Sequence, residues 1–227
     1  SRGPLLWLTA TLAAYAIGDA CARAANRAPL INPVLIAVAL LAPMLWLTGT
    51  PYATYFEGAQ FVHFLLGPVT ISLALPLCEN LPRIRRAALP MVAGLLAGSV
   101  TSAVTVLAIA KWFGLGPDLL ASLAPKAATA AVAIGISERL GGSPTLTAVM
   151  VLITGAIGAV VVTPLLNLLR LKDWRARGFA VGVAAHGIGT ARALQVNPTA
   201  GAFAGLGMAL NAVLTALIAP LILRLFL

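Results

Sequence analysis

From Pro144 to Leu169 the chain carries no charged side chain, and the same is true from Ala87 to Ala110 and from Pro198 to Leu223. A helix crossing the hydrocarbon core of a bilayer needs about 20 consecutive apolar residues, so each of these runs is long enough to span. A soluble domain would carry roughly 25% charged residues. Here 9% are charged and 60% are hydrophobic, too little polar surface to face water on all sides. The runs also lack the alternating pattern, roughly ten residues long, of an outer-membrane barrel strand. The predicted fold class is all-α integral membrane, with several helices crossing the bilayer.

Six long apolar segments occupy about residues 4–22, 30–49, 60–79, 87–113, 144–169 and 199–225. Two shorter ones, 120–141 and 178–194, are interrupted by Gly, Pro and charge. The first segment lacks a small-residue cleavage site leading into a soluble domain and reads as a span, not a signal peptide. The third holds Gly67-Pro68, Thr70 and Pro76 and reads as a broken helix. His63 lies near its start as an interface residue, with Tyr55 and Glu57 just outside it.

Fifteen Lys and Arg face six Asp and Glu. In a soluble protein that excess would suggest nucleic acid. Here it collects in short loops, where the positive-inside rule accounts for it and no nucleic-acid partner is expected. Cys21 and Cys78 fall within or beside spans on the basic side and read as small apolar residues, not a disulfide.

The basic clusters orient the chain. Arg23 and Arg27 follow the first span, Arg83, Arg85 and Arg86 the third, and Arg170, Lys172, Arg175 and Arg177 the fifth. With all three clusters in the cytoplasm, the fourth span ends outside near Lys111, and the fifth must start outside. Segment 120–141 must then begin and end on one side, as a re-entrant segment or a pair of half-helices. Segment 178–194 dips in from the cytoplasmic side in the same way. Non-helical backbone at membrane depth is tolerated only inside protein or around a polar cavity. This divides the chain into N-terminal scaffold helices, 1–113, and a core, 114–227, containing both broken segments.

An internal similarity agrees with that division. A shift of 54 residues lays AAVAIGISERLGGSPTLTA (130–148) on AAHGIGTARALQVNPTAGA (184–202), matching Ile134-Gly135 with Ile188-Gly189 and Pro144-Thr145 with Pro198-Thr199. One re-entrant segment plus one span crosses the membrane an odd number of times, so a second copy is inverted. Inverted repeats whose broken helices meet near the midplane are the architecture of secondary transporters.

The stretch AHGIGTAR (185–192) crowds His186, Gly187, Gly189, Thr190 and Arg192 together between apolar runs. The glycines let the backbone leave the helix and approach a ligand. A restarted helix presents free N–H groups and its positive dipole end. Thr190 adds a hydroxyl, Arg192 a forked charge suited to a carboxylate, and His186 a group that titrates near neutrality. Together they describe a small-anion site, with His186 as a candidate proton coupler. The same glycines also suit tight helix packing, and Arg192 also suits snorkelling to the interface. In the first copy, Pro125 starts a helix, with Lys126 and Thr129 near its N-terminus. Glu138 corresponds to Arg192, so a Glu138–Arg192 ion pair competes with substrate binding for that arginine, with Arg139 a nearer partner for Glu138. Asn32 and Asn211 are polar residues within spans, suited to cross-bonding helices, and Asn211 is also placed among the candidate binding residues. Two histidines without a close third ligand make no metal site. The absence of HExxH, P-loop and GxSxG patterns argues against an enzyme, and no cofactor is expected.

The stretches NPVLIA (32–37), LGPVTISLALPL (66–77), PKAAT (125–129), AHGIGTARA (185–193) and GAFAGLGMALNAVLTALIAP (201–220) resemble the LrgB/CidB family of bacterial inner-membrane proteins. The C-terminal half of the plant plastidal glycolate/glycerate translocator is similar. Family members often read PKSVT where this chain has PKAAT, so Ala127 lacks that serine hydroxyl. The resemblance implies a multi-pass inner-membrane location and two functional labels. One is holin/antiholin-like control of murein hydrolase activity and cell lysis. The other is transport of short carboxylates such as glycolate, glycerate and pyruvate.

The anion-site chemistry favours the second label. The resulting expectation is an alternating-access transporter of small monocarboxylates, binding its anion at the broken-helix ends. A homodimer in membrane lipid is expected, and a small LrgA/CidA-type protein is a candidate partner.

Overall fold

The computed structural model describes residues 3–26, 31, 33–64, 82, 85 and 87–227. Asn32, Cys78 and the break expected at Gly67-Pro68 lie outside them, as does the side chain of His63. The described residues form helices without strands. The chain divides into two compact units, 1–74 and 75–227.

The first unit contains α1 (Pro4–Ala24), α2 (Pro33–Leu47) and α3 (Tyr52–Phe64). α1 is the hub, packing on both others. Gly58 is needed because a Cβ there would run into the Pro4 carbonyl and the Trp7 side chain. Trp7 is buried and meets Tyr55 edge-on at 5.9 Å, and the Tyr55 hydroxyl lies 3.2 Å from Thr11 Oγ1. α2 is apolar but only 15 residues long.

The second unit is built on three long helices, α4 (Ala88–Trp112), α7 (Pro144–Leu168) and α9 (Pro198–Arg224). Between them lie the short α5 (Pro117–Leu123) and α6 (Ala130–Arg139), and α8 (Trp174–Val196). With α1, these long helices make four among the described residues that are long and apolar enough to cross a membrane. Along α7, Val149, Ile153, Ile157, Val161 and Leu165 are all exposed. Their four-residue spacing makes one outward stripe, as expected of a face against lipid acyl chains. α7 and α9 start alike. Ser143 accepts from Leu146 N–H at 3.3 Å and Asn197 from Ala200 N–H at 3.1 Å, each followed by proline at the first helical position. Such a side-chain cap satisfies one of the N–H groups that a helix start leaves without a partner.

Packing clusters give the directions. Leu107 and Ala110 of α4 share a cluster with Ala219, Ile222 and Leu223 of α9, and Met91 and Leu95 share another with Phe203. α4 and α9 therefore run parallel. α5 joins the first of these clusters, and Ser122 at its end meets the start of α7, donating from Ser143 N–H to Ser122 Oγ at 2.7 Å. α7 is therefore antiparallel to the other two.

Segment 120–141 is indeed a pair of half-helices. At ~1.5 Å per residue neither α5 nor α6 approaches the ~30 Å of a hydrocarbon core. They form a hairpin. Thr147 donates to Ser137 Oγ at 2.7 Å and lies 3.0 Å from the Ser122 carbonyl, drawing the end of α6 to the end of α5. The linking tip reaches mid-height, where Ala127 accepts from Asn211 Nδ2 at 2.9 Å.

Segment 178–194 also doubles back. Ala185 (φ −129°, ψ 18°) and His186 (φ 38°, ψ −135°) interrupt α8, separating an incoming arm from a returning arm. A Cβ on Gly189 would lie 2.8 Å from Val181 Cγ1 and 3.2 Å from the Val181 carbonyl. In a continuous helix these residues would be about 12 Å apart along the axis. The incoming arm packs backbone to backbone on α9, with Gly178 over Ala200, Gly182 over Ala204, and Gly207 under Phe179 and Val183. This is the close approach that small residues at four-residue spacing permit between membrane helices.

Candidate functional site

The two hairpin tips enter the unit from opposite ends and reach the middle of the long helices. At the α8 tip, His186 is buried (4% exposed), and its Nε2 lies 2.9 Å from the Val151 carbonyl of α7. A carbonyl oxygen only accepts, so the ring donates from Nε2–H. Gly155 makes room for it, because a Cβ there would sit 2.5 Å from His186 Cε1, and Gly158 does the same for Ala185. Thr190 donates to the His186 carbonyl at 2.8 Å, and its Oγ1 lies 3.9 Å from Met208 Sδ.

The predicted residues are distributed as follows. Lys126, in the tip between α5 and α6, is close enough to His186 for their charges to interact, so these two come together. Thr129 is the N-cap residue of α6. Gly187 and Gly189 are both helical, and the left-handed position at the break falls on His186. Asn211 is buried in α9 and ties three elements. It accepts from Ser99 Oγ of α4 at 2.6 Å and from Thr215 Oγ1 at 3.4 Å, and donates to Ala127. Glu138 and Arg139 are exposed at the end of α6. Arg192 is half-buried on the returning arm of α8 and lines a pocket with Arg177 and Trp174. Among the described residues no three of His, Cys, Asp and Glu gather as a metal site would require.

Sequence reasoning did not find the partners of these groups. Gly155 and Gly158 on α7, Gly178 and Gly182 on α8, and the Ser99–Asn211 pair were all missed. The signal available was the spacing of small residues, most plainly Gly178-x-x-x-Gly182.

A helical unit with apolar flanks, two glycine-lined hairpins and polar groups joined at mid-height defines a polytopic α-helical membrane protein. The chain belongs to the LrgB-like family, whose model matches residues 11–225. It is 35% identical over 198 residues to Holin-like protein CidB of Staphylococcus epidermidis, covering 87% of this chain and 86% of that one. Holin-like protein CidB of Staphylococcus aureus is 34% identical over the same shares. The uncharacterized protein YwbG of Bacillus subtilis is 33% identical, covering 85% of each chain. No solved structure matches.

These relatives overturn the expectation of monocarboxylate transport, because the curated names they carry are holin-like. The physical reason for the misreading lies in the break itself. The Thr190 hydroxyl and the His186 ring, taken for ligand groups, bond to the His186 and Val151 carbonyls. Asn211 likewise bonds to Ser99 and Ala127.

Proposed function

We propose that this chain is a holin-like protein of the bacterial inner membrane that controls murein hydrolase activity and cell lysis. The observation that carries the reading is the 35% identity to Holin-like protein CidB along most of both chains. In this reading six spans cross the bilayer, two hairpins re-enter it, and 114–227 is an inverted repeat. Residues 1–113 are the scaffold through which two copies associate, and a small LrgA/CidA-type membrane protein is the partner. The outward apolar stripe of α7 and the small-residue contacts between helices support a protein that works through assembly in lipid.

The test is deletion of the gene in its own host, with murein hydrolase activity of the cells and their rate of lysis as the readings. Deletion should change both, and restoring the chain should reverse the change. Unchanged hydrolase activity and lysis in the deletion strain would sink the reading.

A further inference from the structure

At the end of the second unit where α7 finishes and α9 begins, the arms of the α8 hairpin and α7 enclose a pocket of about 300 Å³. Arg177 on the incoming arm and Arg192 on the returning arm both line it, with Trp174, while Leu166, Val181 and Val196 supply apolar wall. Arg177 is held in place. Its Nη1 donates to the Leu171 carbonyl at 3.1 Å, and its Cζ sits 4.7 Å over the Trp174 ring. A guanidinium has five N–H donors in a planar fork, so that one bond leaves others for a ligand oxygen.

The surroundings are basic. Arg170, Lys172 and Arg175 lie on the adjoining connection, and the single carboxylate there, Asp173, is paired with Arg175 at 2.7 Å. With α7 and α9 spanning, the pocket lies at headgroup level, where Trp is enriched. Two arginines beside an apolar wall suit a ligand with an anionic head and a hydrocarbon body. Inorganic phosphate does not need the wall, and a zwitterionic lipid gains less from two guanidinium groups.

We propose that this pocket binds an anionic phospholipid from the leaflet facing the basic connection. Its phosphodiester lies between Arg177 and Arg192, and an acyl chain runs along Leu166 and Val196. The proposal needs only a membrane-embedded chain and stands whether or not the holin-like reading holds.

The experiment is native mass spectrometry of the full chain in detergent, titrated separately with phosphatidylglycerol, phosphatidylcholine and inorganic phosphate. Phosphatidylglycerol should be retained selectively. Arg177→Gln and Arg192→Gln should each weaken retention about fivefold, the weight of one basic group near an anionic headgroup. Arg170→Gln and Lys172→Gln, which remove the same charge away from the lining, should leave it unchanged. A second measurement leaves both arginines intact: brominated phosphatidylglycerol should quench the fluorescence that distinguishes the native chain from Trp174→Phe. Equal retention of phosphatidylcholine, binding unchanged in both arginine variants, displacement by inorganic phosphate alone, or no quenching of Trp174 would each overturn the proposal.

Discussion

The Val181 carbonyl lies 3.2 Å from where a Cβ on Gly189 would sit, although eight residues separate the two along α8. That proximity defines the hairpin and makes Gly189 a packing residue. The same Cβ would also lie 2.6 Å from Ala185 Cβ. Gly189→Val should therefore force the arms apart, at a cost of roughly 1–3 kcal/mol for overpacking. Gly135 in α6 has nothing within 4 Å of its Cβ position, so Gly135→Ala should be neutral or stabilising. Thermal melting of the two variants in detergent checks the contrast. Equal melting temperatures would show that the arms do not touch.

His186 occupies a backbone conformation that favours glycine, with φ 38°. Its ring bond to Val151 offsets part of that strain. His186→Ala should lose the bond and keep the strain, while His186→Gly loses the bond but relieves the backbone. The glycine variant should be the more stable by about 1 kcal/mol or more, the usual scale of such strain. The ordering of the two melting temperatures is the check, and the reverse order would place the strain elsewhere.

Asn211 joins α4 to the α5–α6 tip through Ser99 and Ala127. Asn211→Leu should leave the Ala127 carbonyl without this donor and Ser99 without this acceptor. Interhelical hydrogen bonds in membranes are worth about 0.6 kcal/mol on average and up to about 1.7. A double-mutant cycle with Ser99→Ala should give a coupling energy within that range. Strict additivity would mean that the two side chains act independently.

Asp173 caps α8, accepting from Arg175 N–H at 2.9 Å and from the Arg175 guanidinium at 2.7 Å. The guanidinium bond holds the Asp173 pKa below its ordinary value, against a smaller opposing effect of burial. A depressed folded-state value means that the cap's contribution is fully present above the ordinary carboxylate pKa of about 3.9. It is lost as pH falls through the folded value. A carboxyl-carbon NMR titration should place the Asp173 midpoint below that of an ordinary aspartate, and Arg175→Gln should move it upward. A midpoint indifferent to Arg175 would refute the assignment.

The long helices were legible because their boundaries are written in charge. The expected 87–113, 144–169 and 199–225 became 88–112, 144–168 and 198–224, since proline and the first charged residue mark where each run stops. The two breaks were legible too, but not their detail. Gly187 and Gly189 drew the eye, whereas the chain reverses at Ala185-His186, and Gly189 serves the approach of the arms. The role of the polar cluster was the hardest part to read. A break at membrane depth frees backbone groups that must be satisfied internally, and this calls for the same hydroxyl, amide and imidazole groups as a ligand site. Composition alone cannot separate those uses, because the partners of Thr190 and Asn211 are fixed by folding.

The glycine contacts between α8 and α9 have a consequence for the order in which the protein is made. α8 has 23 residues, yet it does not qualify as a membrane-crossing helix by apolar character, whereas the 27-residue α9 does. The surface that Gly178 and Gly182 fit is supplied by Ala200 and Ala204, which are synthesised later. The hairpin therefore has no complete seat when it leaves the ribosome. It settles into the bilayer only once α9 has inserted beside it, making α9 the template for the segment that precedes it.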